Sequence, residues 1–253
     1  MKAFALVGSP RVGNTFKLCE IFLKKLQEKI PIEYEIKRIE DFEIKYCKGC
    51  GNCIMGKNCP INDDFKEVID KIKSSDLFIF ASPVYADNVS AQMKTFIDRN
   101  CGSFHFPPFI GKYAIVASTT AYHGSRNVLM ILRESVVGWG MNCIGEISAI
   151  FWGNKMKDEE KVLKRIEKIA EDTAKILNNE KEFSPSLFDL MMFESMKMGA
   201  IHSKYWNKAE YNFWKEKGLF EQKYYSRDVK VNYLKVVLAK LSIFLYYTFK
   251  GYK

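Results

Sequence analysis

The sequence predicts a doubly wound α/β fold: a five-stranded parallel sheet covered by helices on both faces. Two observations predict it. Strand-like runs alternate with helix-like stretches five times in about 180 residues, the pattern of β-α-β crossovers. Several of those runs are also continuously apolar, as strands buried on both faces are. Hydrophobic residues make up 47% of the 253-residue chain, enough for a sizeable core.

The elements follow in order. "AFALVG" (3–8) is a short apolar strand ending in Gly, and "NTFKLCEIFLKKLQEK" (14–29) repeats apolar residues at helical spacing. "IEYEIKRI" (32–39) alternates as a second strand, and "DDFKEVIDKIKSS" (63–75) is a helix with acids in its first turn. "DLFIFASPVY" (76–85) is a third strand stopping at Ser-Pro, followed by the helix "SAQMKTFIDRN" (90–100). "KYAIVASTT" (112–120), "SRNVLMILRESVVGWG" (125–140), "MNCIGEISAI" (141–150) and "KDEEKVLKRIEKIAEDTAKILNN" (157–179) complete the alternation. Five such units match the flavodoxin-like strand order 2-1-3-4-5.

"KEFSPSL" (181–187) marks a boundary between a domain over 1–180 and a helical C-terminal extension over 181–253. The extension reads as helical in 187–218 and 232–252, and residues 185–253 carry 16 of the 36 aromatics. They also hold 12 basic and 6 acidic residues, much of the chain's formal charge of +9. A basic balance admits nucleic acid or an anionic membrane surface. No second signal supports either, so no nucleic-acid partner is expected. Segments such as "YNFW" (211–214) and "FLYYTF" (244–249) would be large apolar patches if exposed, which predicts burial against the main domain or in an assembly. The first apolar run is too short for a signal peptide, and "LSIFLYYTF" (241–249) is half a bilayer span. The expectation is a cytoplasmic protein with no integral membrane association.

In that compartment clustered cysteines read as metal or redox ligands rather than disulfides. "YCKGCGNCIMGKNCP" (46–60) spaces Cys47, Cys50, Cys53 and Cys59 as C-x2-C-x2-C-x5-C-P. This is related to the ferredoxin run C-x2-C-x2-C-x3-C-P. Three closely spaced thiolates suit a compact cluster better than zinc, which takes two distant C-x2-C knuckles. Gly49, Gly51 and Gly56 let so tight a loop fold. A metal-free thiol loop is the alternative. Cys19, Cys101 and Cys143 read as buried small hydrophobes, and His105, His123 and His202 have no metal-like spacing.

Three other loops follow strands 1, 3 and 4. "VGSPRVGNTF" (7–16) precedes a helix N-terminus, where backbone N–H groups and the helix dipole favour phosphate. It is neither a P-loop nor a GxGxxG turn. "SPVYADNVSAQMKTFIDR" (82–99) turns at Pro83, and "STTAYHGSR" (118–126) is small and polar with one aromatic. All three lie where open α/β sheets bind ligands.

"GSPRVGNT", "CKGCGNC" and "SPVYADNVSAQMKTFIDR", in that order, resemble the NADPH-dependent FMN reductase-like branch of the flavodoxin superfamily, and more closely its iron–sulfur flavoproteins. The resemblance covers residues 1–180. It implies FMN with its phosphate at Ser9, Arg11, Gly13, Asn14 and Thr15. It further implies an isoalloxazine lined by Ser82, Pro83, Val84 and Tyr85 and closed over by Thr119, Thr120 and Tyr122. A [4Fe–4S] cluster on Cys47, Cys50, Cys53 and Cys59 and a homodimer or homotetramer are implied as well. The expected activity is electron transfer between a reduced donor, NAD(P)H or ferredoxin-type, and an acceptor, with no catalytic side chain beyond the flavin. The alternatives are a cluster-free NAD(P)H-dependent flavin or quinone reductase and a pure electron-transfer flavoprotein.

Overall fold

The computed structural model of the protein describes residues 1–226 and 229–249. Six strands, β1 (Lys2–Val7), β2 (Glu33–Arg38), β3 (Leu77–Pro83), β4 (Tyr113–Thr120), β5 (Asn142–Trp152) and β6 (Lys155–Met156), form one sheet in the order β2-β1-β3-β4-β5-β6. The first five are parallel, in the expected order 2-1-3-4-5. The expected count of five is corrected to six by β6, which turns back antiparallel on the end of β5. Trp152 pairs with Lys155, leaving Gly153-Asn154 as a two-residue hairpin. Gly153 takes a φ of +62°, which such a turn needs.

Side chains of the central strands alternate between two cores. Ala3, Ala5, Leu77, Ile79 and Ala81 face α1 (Asn14–Gln27) and α5 (Glu159–Leu177). Phe4, Leu6, Phe78 and Phe80 face α2 (Phe65–Ser74), α3 (Ala91–Arg99) and α4 (Ser125–Gly138). The alanines allow α1 to lie close to the sheet, and the phenylalanines fill the wider layer opposite. There Phe80 and Phe96 meet Trp139 with ring centroids 5.4 and 6.1 Å apart.

The chain after residue 181 adds α6 (Leu187–His202), α7 (Lys208–Glu216) and α8 (Tyr233–Phe249) over the α4 side. Residues 250–252 of the helical segment read from the sequence lie outside the described residues. Phe193, Trp214, Tyr224 and Tyr225 are buried together in the same core as Phe78 and Phe80. Much of the extension's aromatic content is therefore covered within the chain, Trp214 of "YNFW" included. The outer face of α8 is exposed at Leu234, Leu241 and Phe244.

One charged group fixes this layer. Arg133 on α4 donates from Nε and Nη2 to the two carboxylate oxygens of Asp189, both at 2.9 Å, and from Nη1 to Glu146 on β5. Asp189 is fully buried and closes a capping box with Ser186 at the start of α6. Replacing Arg133 with Met should lower unfolding free energy by about 3 kcal/mol, the lower end for breaking a buried pair. The lower end applies because the Ser186 N–H still holds Asp189. Urea midpoints of the two proteins check this; a change under about 1 kcal/mol would mean the pair does not hold the layer.

Candidate functional site

The loops after β1, β3 and β4 converge at the carboxyl edge of the sheet. α1 leaves β1 on one face and α3 leaves β3 on the other, so a crevice opens between the two strand ends.

In the first loop Ser9 is buried, and its Oγ donates to the Arg11 carbonyl at 2.8 Å, tightening the turn. Arg11 is exposed and forms no ion pair with a described residue. Gly13 caps α1 with no side-chain acceptor, so the first-turn N–H groups open toward the loop. Asn14 Nδ2 donates to the Gly153 carbonyl at 2.8 Å, tying the loop to the β5–β6 hairpin. Thr15 Oγ1 lies 2.6 Å from Thr119 Oγ1, both buried, and joins the first and third loops.

In the second loop Ser82 is fully buried; its Oγ donates to the Pro83 carbonyl and accepts from the Ser90 N–H. Ser90 in turn donates to the Gly8 carbonyl and caps α3. Pro83 is buried, while Val84 is half-buried and held by its N–H to Thr119 O at 2.8 Å. Tyr85 is exposed and pairs with Asn88 across a two-residue turn. The turn residues Ala86 and Asp87 have φ of 48° and 60°. Two consecutive non-glycine residues in the left-handed region are strained, as loops at functional sites are.

In the third loop Thr120 Oγ1 donates to the His123 carbonyl and accepts from the Tyr122 N–H, leaving the Tyr122 ring exposed. Asp87 accepts from Asn127 at 2.7 Å and faces His123, so the second and third loops are one unit. Ser118 and Ser90 lie inside the loops quoted from the sequence but were not singled out there; the fully buried Ser118 Oγ on β4 has no hydrogen-bond partner among the described residues. Neither belongs to a spacing pattern. Beside the third loop lies a cavity of about 460 Å³ lined by Tyr122, Arg126, Lys157, Lys161 and Arg165, with Asp158 as the one acid among its described lining residues.

The cysteine loop lies between β2 and α2. Gly49, Gly51 and Gly56 adopt φ of 63°, 74° and 73°, as the tight path requires. Cys47, Cys50 and Cys59 are exposed and Cys53 is half-buried. Among the described residues no three of these thiols are gathered at one point that would hold a metal ion. Cys101, expected as a buried hydrophobe, instead sits half-buried with its Sγ 3.6 Å from Cys53 Sγ; Cys19 and Cys143 are buried as expected. Burial and the neighbouring Cys53 push the Cys101 thiol up to about 12.

Two contacts hold this loop from below. Arg99 at the end of α3 pairs with Asp63, both side chains almost inaccessible, and also donates to the Lys45 carbonyl. Its Nη2 reaches Cys59 Sγ at 3.8 Å. Burial acts to raise the Asp63 carboxyl, but Arg99 and the N–H groups of Lys45 and Phe65 hold it below the usual aspartate range. Its stabilising contribution is therefore full above that range and is lost as pH falls toward the depressed value. From the extension, Asn207 Nδ2 donates to the Ile54 carbonyl at 2.6 Å, and Gly56 packs against Phe106 and Ala209.

Residues 1–153 match the model of the NADPH-dependent FMN reductase family. The chain belongs to that family. It is a flavin-dependent oxidoreductase of the NAD(P)H reductase type. An "iron-sulfur flavoprotein" of Archaeoglobus fulgidus is 35% identical over 225 residues, covering 86% of this chain and 99% of the relative. "Iron-sulfur flavoprotein MJ1083" of Methanocaldococcus jannaschii is 42% identical over 101 residues, 40% of this chain and 52% of the relative. Of solved structures, a "flavone reductase" superposes with a TM-score of 0.53 at 14% identity, over 72% of this chain and 65% of its own. RosB does so with a TM-score of 0.53 at 17% identity, over 70% and 79%. These two support the fold.

Gly124 is where the loops meet. Its φ is +90°, and an added Cβ would fall 2.7 Å from Val84 Cγ1 and against the Asp87 carboxylate. Gly124→Ala should cost about 1–2 kcal/mol of stability and weaken flavin binding with it. Chemical denaturation and flavin fluorescence titration read the two effects; unchanged flavin affinity would separate the loop junction from the site.

Proposed function

We propose that the chain binds FMN in the crevice between the ends of β1 and β3 and passes electrons from a reduced donor, NAD(P)H or ferredoxin-type, to an acceptor. The observation that carries this reading is the convergence of three hydrogen-bonded loops there, joined by Thr15 with Thr119 and by Asp87 with Asn127. The residues fit the cofactor. Among the described residues Arg11 has no competing carboxylate, the start of α1 has no side-chain acceptor, and the buried Ser118 hydroxyl is unpaired. Ser9, Arg11, Gly13, Asn14 and Thr15 would hold the phosphate, and Pro83, Val84, Tyr85, Thr119, Thr120 and Tyr122 the ring. Bound FMN supplies the electron and hydride chemistry. The chain's part is to orient the ring, neutralise the phosphate with Arg11 and keep water from the buried side. Ser82 acts within the turn, positioning Pro83 and Ser90.

Only FMN, not riboflavin, carries the phosphate. Arg11→Ala should weaken FMN at least tenfold, about 1.4 kcal/mol, and leave riboflavin affinity unchanged. Equal losses for both ligands would place the phosphate elsewhere.

For Cys47, Cys50, Cys53 and Cys59 we propose a [4Fe–4S] cluster. Four soft thiolates in a glycine-rich loop are the right donor chemistry, although the loop's described path leaves them spread. Protein prepared without oxygen should contain about four irons per chain, and Cys50→Ala should lose the brown chromophore while keeping FMN. Full reductase activity in iron-free protein would favour a plain thiol loop.

The cationic cavity beside Tyr122 is proposed to receive the phosphates of NAD(P)H. Arg126 and Lys161 there form no ion pair with a described residue. The double change Arg126→Glu and Lys161→Glu should raise KM for NADPH at least tenfold with kcat unchanged, and the gap should narrow at high salt. An unchanged KM would move the donor site off this cavity.

A further inference from the structure

Cys101 has no part in the four-cysteine motif, yet it makes the one contact between cysteine thiols among the described residues. Its Sγ stands 3.6 Å from that of Cys53, 48 residues away in sequence. The approach depends on Gly102. A Cβ at that position would lie 2.7 Å from Cys53 Cβ and 3.1 Å from the Cys53 carbonyl, so a side chain there would push the loop off the turn that carries Cys101. Both residues are half-buried, whereas Cys19 and Cys143 are sealed in the core. A disulfide needs its sulfurs at about 2.05 Å, so the two thiols have the rest of their 3.6 Å separation to close.

We propose that Cys53 and Cys101 form a reversible disulfide when the loop holds no cluster. The oxidant is a low-molecular-weight disulfide. The Cys53 thiolate attacks one of its sulfurs, forming a mixed disulfide and releasing one small thiol. Cys101 then attacks the Cys53 sulfur, forming the internal bond and releasing the second. Two protein thiols are oxidised, one small disulfide is reduced to two thiols, and the protons leave on those thiols. A dithiol reverses the exchange. A Cys53 sulfur engaged with Cys101 is not free to bind iron. On the cluster reading above, on which only this consequence rests, the bond closes one of the four ligand positions until it is reduced.

The test uses full-length iron-free protein incubated with excess oxidised glutathione under argon. Digestion without reductant should yield one cross-linked peptide pair joining Cys53 to Cys101, apart from any glutathione carried by the exposed Cys47, Cys50 and Cys59. Cys101→Ser should yield no such pair. Oxidised wild-type protein should then take up no iron from iron and sulfide until a dithiol is added, and Cys101→Ser, unable to complete the second exchange, should instead keep glutathione on Cys53. Retention of all seven thiols, or a cross-link confined to Cys47, Cys50 and Cys59, overturns the inference and leaves the cluster reading standing. A Cys53–Cys101 cross-link in a protein that binds no iron in either redox state supports the disulfide and overturns the cluster reading instead. Peptide mapping of the wild-type chain decides the disulfide even if the variant fails to fold.

Discussion

Everything at the candidate site depends on β1 pairing with β2 on one side and β3 on the other. Crossovers between parallel strands are right-handed. With β1 in the middle, the step to β2 and the step to β3 must therefore run over opposite faces, and α1 and α3 separate at the strand ends. The crevice is a product of strand order rather than of any one side chain. What the side chains add is closure. Thr15 with Thr119 and Ser90 with the Gly8 carbonyl pull the three loops into one rim, so that strain at Ala86 and Asp87 is held by neighbours on both sides.

The cysteine loop has a different support. It is not fastened by the sheet but by a buried ion pair below and a helix beside it. Burying Arg99 and Asp63 together costs desolvation that their attraction offsets only with good geometry, and the guanidinium meets it with Asp63, the Lys45 carbonyl and the Phe65 ring at 4.8 Å. Such a pair does less for overall stability than for uniqueness: it admits one path for residues 59–63 over the end of α3. α7 fixes the other limb through Asn207 and Ala209.

The parallel sheet and its order were legible because they rest on local periodicity: apolar runs, amphipathic helices and the small polar residues that end each strand. The loop glycines were legible too, since three of them in one tight cysteine run demand left-handed backbone. β6 was missed although Gly153-Asn154 is a hairpin signal, because two residues of strand carry no periodicity. Arg99 with Asp63, and Cys53 with Cys101, join positions 36 and 48 apart, and nothing in composition or spacing couples them. Of the extension's aromatics, Phe193, Trp214, Tyr224 and Tyr225 are covered as expected, whereas Phe244, Tyr246 and Phe249 of "FLYYTF" are exposed on α8 within this chain. That much of the cover is α4 and its own neighbours follows from Arg133 reaching Asp189, again a long-range pair. At the rim, residue types pointed to three loops that the structure brings together, but not to which atoms remain available: Ser82 and Thr15 turn inward and Arg11 outward.

The hydrogen bond from Asn207 to Ile54 spans 153 residues. A ribosome adding about 5–20 residues per second releases Asn207 roughly 8–30 s after Ile54. For that interval the four motif cysteines have already emerged while the helix that braces them has not been made. Any assembly machinery that meets the nascent chain in this window meets a loop with its thiols loose and one wall missing. The finished wall arrives only once α7 has been made, so the loop waits on a segment 153 residues further along the chain for its brace.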